Sequence, residues 1–468
     1  MNNIHRSIYN HLPATFKNLA ASLYGYKLLK WRYGPETEKL VLEAFERERW
    51  SHEKWEKWKE ERLAYMLEYS AANVPYYREY WSNRRQKGDN SSPGELKNWP
   101  ILTKETLRKN QKVFIADGFY EKNLYRDHTS GTTGTPVDFF SSREILRKWY
   151  ALFEARWRRW YGVSLKDNWA IIGGQYVVPL NKDKPPFWVW NRAFHQLYLS
   201  AFHMRPELMK YYLKAMQDHN IVHMYSYSES VHQLAQAALK ENIKIKLKVV
   251  VTDAEPLFEH QRETISEAFD CPVRETFGQA EMLCAASECE HGKLHLWSDA
   301  GHVELLDESD QPVENGTAGR IIGTSLLNET MPLIRYDLMD MAQFPLKQEQ
   351  CKCRRTLPVV EKFTGRMDDI IYAKDGRRLV QLDIILGSHL KIREVQIIQE
   401  TLDDFTVKVV PDEGWNESAK KTLVDSLKEL AGDVNVNVVE VEEIPRTWAG
   451  KFRIIVSKVN QKDPEKVN

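Results

Sequence analysis

Short apolar runs that resemble strands alternate with runs of helical spacing between Trp169 and Gly278. The strand-like runs are WAIIGG, IVHMYSYS, LKVVVT and PVRETFG, and the helical runs among them are PELMKYYLKAMQDH, SVHQLAQAALKEN and QRETISEAF. Such alternation is typical of strands that pair side by side and are covered by helices. It therefore predicts a layered α/β domain.

The two ends of the chain differ from this central part. From about Leu28 to Tyr80 apolar residues recur at helical spacing until Pro75, which predicts a mainly helical part over residues 1–100. After FTGRMDDIIYAKDGRRL the strand-like runs REVQIIQET, DFTVKVVPD and VNVNVVEVEEI surround one helical run, ESAKKTLVDSLKELAG. We predict a large domain over residues 1–364 and a small α+β domain over 365–468.

Charge and composition exclude several classes of protein. The 66 basic and 66 acidic residues cancel, so no global field favours nucleic acid, and no apolar run is long enough to span a membrane. The first residues lack the pattern of a secretory signal. Five cysteines, an odd number, fit a reducing compartment. We expect a cytoplasmic protein; its oligomeric state stays open, a homodimer being one alternative.

A stretch of seven small residues, TSGTTGT, precedes Pro136. It is rich in hydroxyls and glycine, which can wrap a phosphate chain because backbone amides approach closely and hydroxyls donate to oxygen. The residues of this stretch are Thr129, Ser130, Gly131, Thr132, Thr133, Gly134 and Thr135. No lysine follows Gly134, so the common P-loop pattern is absent. By itself the stretch is either a polar turn or a phosphate-binding loop.

Six stretches decide between these alternatives by their order. They are TSGTTGTPV, TDAEP, ETFGQAEM, IRYDLMD, FTGRMDDII and IPRTWAGKFR. In this order they resemble the motifs of the adenylate-forming (acyl-activating) ligases, and the resemblance extends from about Asn73 onward. NVPYYREYW and PILTKE resemble the branch that contains phenylacetate–CoA ligases and CapK proteins. The resemblance implies a large layered α/β N-terminal domain, a small mobile C-terminal domain, and activation of a carboxylic acid by ATP.

The resemblance also implies a role for residues of the large domain. Residues 129–135 would cradle the triphosphate, and Glu281 would hold Mg²⁺. The other implied ATP-binding residues are Ala254, Glu255, Pro256, Glu275, Thr276, Phe277 and Asp340, with Phe277 covering the adenine and Asp340 binding both ribose hydroxyls. The chain departs from the family pattern at Val137, where a lysine is frequent, at Ala280, where threonine is usual, and at Met339, where glycine is usual.

Three residues near or in the small domain complete the implied catalytic set. Arg366 resembles an arginine that contacts ribose or phosphate, and Asp368 resembles the hinge about which the small domain turns. Lys451 resembles a mobile lysine that bridges the carboxylate and the α-phosphate. A lysine that acts only in the transition state affects turnover more than binding. The predicted catalytic residues are therefore Lys451, Glu281 and Arg366.

Aromatic and arginine-rich stretches offer a candidate pocket for the acid. MYSYSES lies where the family begins its acid pocket, so we expect contacts from Tyr225, Ser226, Ser228 and Gly278, with Trp169 and Tyr176 nearby. The tryptophans of WSHEKWEKWKEERLAYM indicate helix packing. A helical run carries four arginines that predict a solvated face, with binding of an anionic acceptor as the alternative. They are Arg147, Arg156, Arg158 and Arg159.

Three cysteines and two histidines cluster in ECEHGKLH and CKCRR. Thiolates at Cys-x-Cys spacing with a histidine suit tetrahedral Zn²⁺. The preferred set is Cys289, His295, Cys351 and Cys353, with Cys284 or His291 as substitutes; the resemblance supports it. The alternative is a group of reduced surface cysteines. Cys271, before Pro272, is expected in the core.

The favoured function is formation of an acyl-adenylate from a carboxylic acid and Mg·ATP, followed by transfer to coenzyme A or an amine. The expected cofactors are ATP and Mg²⁺, with structural Zn²⁺ and coenzyme A as further candidates. One alternative is an amide-forming ligase of polysaccharide or specialised-metabolite biosynthesis. Another is a non-catalytic nucleotide-binding relative, which Met339 and Ala280 favour. A zinc hydrolase is disfavoured because a cysteine-rich set leaves no open position.

Overall fold

The structure is a computed structural model. It describes residues 9–128, 137–173, 175–179, 181–254, 257, 259–307, 309–364, 371–375, 378–379, 390, 392–411, 414–442, 444 and 455–459.

Helices dominate the first hundred residues and recur between strands thereafter. Their bounds are α1 (Ala14–Arg32), α2 (Thr37–Arg47), α3 (His52–Asn73), α4 (Pro75–Gln86), α5 (Lys104–Lys109), α6 (Arg143–Trp157), α7 (Met209–Asp218), α8 (Ser228–Lys240), α9 (Glu259–Phe269) and α10 (Glu417–Ala431). Ser51, Thr103, Ser142 and Asn416 each cap a helix by accepting a hydrogen bond from a backbone N–H three residues on.

The predicted helical run from Leu28 to Tyr80 spans parts of four separate helices, α1 to α4. Pro75 ends α3, as expected, but it also occupies the first turn of α4, where its missing N–H has no helical partner to lose. The expected packing role of the tryptophans is confirmed. The rings of Trp50, Trp55 and Trp58 lie 5.2–6.4 Å apart.

The described strands up to β9 are β1 (Tyr125–His128), β2 (Asp138–Ser141), β3 (Trp169–Gly173), β4 (Trp188–Asn191), β5 (Gln196–Ser200), β6 (His223–Tyr227), β7 (Val249–Asp253), β8 (Val273–Phe277) and β9 (Ala286–Glu288). The next strands are β10 (Leu294–Leu296), β11 (Gly301–Leu306), β12 (Ala318–Ser325), β13 (Tyr336–Gln343), β14 (Val359–Val360) and β15 (Lys362–Thr364). The last are β16 (Ile371–Tyr372), β17 (Arg378–Leu379), β18 (Ile392–Gln399), β19 (Asp404–Pro411), β20 (Asn435–Glu440) and β21 (Ile455–Ser457).

The largest sheet within the described residues has nine strands in the order β14-β10-β9-β8-β7-β6-β3-β5-β4. Strands β5, β3, β6, β7 and β8 are parallel neighbours, and antiparallel strands extend both edges. Its strands are buried on both faces. In β7, Val250 packs into the core formed with α7–α9, whereas Val249 and Val251 pack on the opposite side with Val163. The predicted layered α/β fold is confirmed.

Two four-stranded sheets follow the large one. Strands β11-β12-β13-β15 form an antiparallel sheet, and β20-β19-β18-β21 form a mixed sheet against α10. The second sheet has its own core, with Ile397, Phe405 and Leu427 fully or almost fully buried. Phe202, from the part with the nine-stranded sheet, joins this core. The expected α+β character of the C-terminal part is present, while the boundary at Gly365 stays a prediction.

Candidate functional site

A cavity of about 1070 Å³ lies between one face of the nine-stranded sheet and the helices α1 and α6. Alternate residues of the strands form its floor, among them Ile171 of β3, Tyr198 of β5 and Tyr225 of β6. The residues between them, such as Ala170 and Leu197, face the opposite core. This alternation follows from the two-residue period of a strand.

Helix α6 forms an aromatic wall of this cavity. Trp149, Tyr150, Phe153 and Trp157 recur every three or four residues, so they share one helix face. The Phe153 and Trp157 ring centroids are 3.8 Å apart, and Trp157 stacks on Tyr225 at 5.2 Å. At Gly278 an added Cβ would lie 3.4 Å from the Trp157 ring. The wall is therefore suited to a flat, apolar group.

One carboxyl group lies at the end of the aromatic wall. The Tyr225 hydroxyl donates to Oδ2 of Asp253, and burial raises the Asp253 pKa to about 6. The other oxygen, Oδ1, is buried and has no hydrogen-bond partner among the described residues. Asp253 is followed by Ala254, whose φ of +68° turns the chain sharply after β7. Asp253 is thus an acceptor that faces the cavity.

Glu275, Thr276 and Phe277, which are predicted to bind the nucleotide, lie on β8. This strand pairs with β7, so these residues lie beside the turn at Ala254. The Thr276 hydroxyl donates to the Thr252 carbonyl at 2.8 Å, and burial raises the Glu275 pKa to about 7. Phe277 stacks on Phe363 with centroids 4.0 Å apart and ring planes 2° apart. Glu281, the predicted magnesium ligand, is buried in the segment after β8.

Asp340, the predicted ribose ligand, lies half-buried in β13 next to Met339. Met339 has a φ of +62°, and its N–H donates to Oδ1 of Asp337 at 2.9 Å. The pairing of β12 with β13 shifts register at this point. A left-handed backbone is the conformation that glycine adopts without strain. The structure thus gives a physical reason for the glycine expected from the family pattern.

Several predicted residues lie outside the described part of the chain: Thr129–Thr135, Glu255, Pro256, Arg366, Asp368 and Lys451. Their roles stay predictions. Strands β1 and β2, which flank the predicted phosphate cradle in sequence, pair antiparallel with His128 opposite Asp138.

The cavity contains part of the predicted acid pocket. Tyr225 and Gly278 line it, together with Trp169 and Tyr176. Ser226 and Ser228 do not. The Ser226 hydroxyl donates to the Tyr227 carbonyl at 3.0 Å, and Ser228 is buried at the start of α8. Because strand residues alternate between the two faces, Tyr225 and Ser226 cannot both point into one cavity.

The expectation of a solvated arginine face on and just after α6 is wrong for Arg156 and Arg158, which are buried. Arg156 contacts Glu48 at 3.0 Å and Asp299 at 2.7 Å, and Arg158 contacts Glu154 at 3.3 Å. Arg147 and Arg159 also pair with glutamates. Because these arginines already form ion pairs within the protein, they give no argument for binding of an anionic acceptor there.

Sequence reasoning missed two contributions to the cavity. Asp253 lies in the quoted motif TDAEP, but only its later residues received a role. Helix α1 supplies Ala20, Tyr24, Leu28 and Arg32, spaced four residues apart on one face. That spacing is the signal that could have identified an inward face.

The cysteine cluster has the geometry of a closed metal site. One ligand atom from each of Cys289, His295, Cys351 and Cys353 lies within 4.8 Å of the others. The sulfurs of Cys289 and Cys351 are 3.7 Å apart, and Cys353 Sγ lies 3.3 Å from His295 Nε2. Two thiolates on one tetrahedral Zn²⁺ lie ~3.8 Å apart, given Zn–S bonds of ~2.3 Å. The donor set therefore fits zinc.

The surroundings of the cluster support this fit. The His295 Nδ1 lies 2.9 Å from the Leu357 carbonyl, which leaves Nε2 free to face a metal. The cluster joins β10 and the segment before β14 at the edge of the large sheet. Cys284 and His291, the predicted substitutes, are not in the cluster. Cys271 lies in the core, as expected.

No helix among the described residues combines the length and apolar character needed to cross a bilayer.

Comparison with known proteins places this geometry in a family context. Residues 371–458 match the family described as the CapK C-terminal domain. Protein CapK of Staphylococcus aureus is 25% identical over 467 residues, which cover 97% of this chain and 99% of that protein. The phenylacetate–coenzyme A ligase of Aromatoleum evansii is 24% identical, with 85% and 93% covered. The chain is a homologue of CapK and of the phenylacetate–CoA ligases.

The solved structures agree with this homology at the level of the fold. A 2-hydroxyisobutyryl-CoA ligase in complex with 2-HIB-AMP and CoA superposes with a TM-score of 0.57 at 19% identity, covering 89% of this chain and 92% of that chain. The same ligase in the postadenylation state gives a TM-score of 0.55. The expected adenylate-forming ligase fold is confirmed for this homologue of CapK.

Proposed function

We propose that this protein activates a carboxylic acid with ATP. A carboxylate oxygen attacks the α-phosphorus, the bond to pyrophosphate breaks, and an acyl-adenylate forms. A thiol or amine then attacks the acyl carbon, AMP leaves with the electron pair of the acyl C–O bond, and the acceptor releases a proton. The observation that carries the proposal is the aromatic cavity, which ends at Asp253 and Gly278 beside the motifs predicted to bind ATP.

Each predicted residue has a task in this reaction. The hydroxyl-rich loop and Arg366 would hold the phosphates, Asp340 the ribose, and Glu281 a Mg²⁺ ion, which would shield the phosphate charge. Lys451 would bring a positive charge between two anions, the acid and the α-phosphate, in the transition state. Helix α6 and Tyr225 would position the acyl group.

The acceptor is coenzyme A or an amine. The phenylacetate–coenzyme A ligases among the relatives support coenzyme A. An amine acceptor would give an amide and fit a role in polysaccharide or specialised-metabolite biosynthesis. Both acceptors should therefore be offered once the acid is known.

Acid-dependent exchange of pyrophosphate into ATP tests the first half-reaction. Aryl, fatty, amino and sugar acids should be compared. Exchange with one class is expected, and Lys451→Ala should lower it by ~10²-fold or more because a transition-state charge is lost. Lys458→Ala, which removes a surface lysine paired with Glu400, is the matched control. ATP binding without exchange for any acid would contradict the proposal.

Met339 gives the non-catalytic alternative its own test. We expect wild-type protein and Met339→Gly to bind ATP with similar affinity, measured by calorimetry. If only Met339→Gly binds ATP, the methionine side chain blocks the ribose site, and the protein is a scaffold that kept the fold.

We also propose that Cys289, His295, Cys351 and Cys353 hold one structural Zn²⁺ ion. Metal analysis of purified protein should find about one zinc per chain, and Cys353→Ser should lose it and unfold at lower temperature. His291→Gln, at an exposed histidine near the cluster, should keep the metal. If removal of metal leaves the unfolding temperature of the wild-type protein unchanged, the cluster is only a group of reduced thiols.

A further inference from the structure

Helix α1 is held firmly as a wall of the cavity. The Asn18 side chain accepts from the Trp190 N–H at 2.9 Å, and Ser22 Oγ accepts from the Arg192 N–H at 3.0 Å. Gly25 packs so closely on β4 that an added Cβ would lie 2.2 Å from the Asn191 side chain. The inward face of α1 is therefore set by tertiary contacts at several points along the helix.

Arg32, the last residue of α1, brings a positive charge to the cavity. Its guanidinium carbon lies 4.4 Å from the centroid of the Tyr150 ring and 6.0 Å from that of Phe194. Within the described residues, Arg32 makes no ion pair closer than 4 Å, unlike Arg147 and Arg158, which each pair with a glutamate. Its Nε is buried without a hydrogen-bond partner.

The groups around Arg32 are mostly phenols. Tyr125 makes a hydrogen bond with the Arg32 side chain, and the phenols of Tyr150 and Tyr33 also act on its charge. Asp127 also lines the cavity, and both Asp127 and Arg32 act on Tyr24, but no ion pair within 4 Å joins Asp127 to Arg32 in the described part of the chain. A guanidinium keeps its charge at all ordinary pH values. Its charge and its Nε–H are thus available to a ligand in the cavity.

Arg32 lies at the opposite end of the aromatic wall from Asp253. Along α6 the wall runs from Tyr150, beside Arg32, to Trp157, beside Gly278. Seven helical residues span ~10 Å. An acid whose reacting carboxylate lies near Gly278 therefore brings its other end to Arg32 if its length is about that of the wall.

We propose that Arg32 binds a second carboxylate, at the far end of the acyl substrate, so that the preferred substrates are aromatic or extended dicarboxylic acids. This assignment rests on the proposed acid activation. A guanidinium binds a carboxylate through two parallel hydrogen bonds, and the surrounding rings exclude water from the pair. The aromatic wall holds the apolar middle of the molecule.

Calorimetric binding to the full-length protein tests the proposal with matched acids. The pairs are 4-carboxycinnamate and cinnamate, 4-carboxyphenylacetate and phenylacetate, and suberate and octanoate. At least one dicarboxylic acid should bind ~10-fold or more tightly than its partner, since a hydrogen bond to a charged group contributes ~1.5–3 kcal/mol. No preference for any dicarboxylic acid would overturn the proposal.

Variants identify the group responsible. Arg32→Met should weaken binding of the preferred dicarboxylic acid by ~10- to 100-fold and leave its monocarboxylic partner nearly unchanged. Lys30→Met removes an exposed positive charge from the same helix and should change neither. Arg32→Lys keeps the charge if the methionine variant fails to fold, and should recover part of the preference. If Arg32→Met weakens binding of the dicarboxylic and the monocarboxylic acid equally, Arg32 has only a structural role.

Pyrophosphate exchange with the same acids separates the two proposals. If only monocarboxylic acids support exchange, the proposed acid activation stands and the proposed role of Arg32 is overturned. If a dicarboxylic acid binds in an Arg32-dependent manner but no acid supports exchange, the role of Arg32 stands and acid activation is overturned.

Discussion

At the scale of single residues, Asp253 is the most unusual group in the cavity. It is an acid buried beside rings, held by the Tyr225 hydroxyl, and its burial raises its pKa to about 6. An ionised carboxylate here would repel the carboxylate of an incoming acid. The protonation state of Asp253 therefore couples pH both to substrate binding and to stability.

The stability effect has a definite sign. Between about pH 4 and pH 6, folded Asp253 holds a proton that the unfolded chain has released, so its contribution to stability falls as pH rises through this window. The change is up to ~2–3 kcal/mol, since one pKa unit corresponds to ~1.4 kcal/mol. Urea unfolding of wild type and Asp253→Asn at pH 4 and pH 7 measures it. We expect the variant to gain stability relative to wild type at pH 7; a difference independent of pH would contradict the raised pKa.

At the scale of elements, a buried ion network ties α6 to α2 and to the segment before β11. Arg156 is fully buried between Glu48 and Asp299, and Arg47 also contacts Asp299 at 2.9 Å. Burial alone would raise the Asp299 pKa, but the guanidiniums of Arg156 and Arg47 hold it well below its usual range. The network fixes the helix that carries the aromatic wall.

Removing one partner of this network should be costly. Arg156→Met leaves two buried carboxylates short of a counter-charge, so we expect a loss of ~3–5 kcal/mol in the free energy of unfolding. Lys148→Met, on the same helix but at an exposed pair with Glu144, should cost ~1 kcal/mol or less. Urea denaturation of both variants gives the comparison. Similar losses would show that the network is no more important than a surface pair.

At the scale of the whole molecule, the main cores are drawn from residues before 365, and the mixed sheet has a core of its own joined by Phe202. A chain of residues 1–364 should therefore fold and bind ATP. It lacks Lys451 and should show no pyrophosphate exchange. Thermal unfolding, calorimetry and the exchange assay measure these three properties. Failure of this chain to fold would contradict the predicted division into domains.

Local pattern predicted much of the fold. The alternation from Trp169 to Gly278 was predicted correctly because periodicity depends on neighbours in sequence. The same locality explains the errors. The local pattern predicts only a helix end at Pro75 and a solvated Arg156, because it shows neither the new helix that starts at Pro75 nor the distant Asp299.

The sequence by itself determined the α/β class, the order of the motifs and the residues of the cysteine cluster, because each depends on residue type and spacing along the chain. The cavity was decided only by tertiary structure. Its floor comes from strands, its aromatic wall from α6 and its far end from α1, which docks on Asn191 through the close approach of Gly25. Packing between segments far apart in sequence leaves no periodic signal, so only the folded chain brings Arg32, Tyr150 and Asp253 to one cavity.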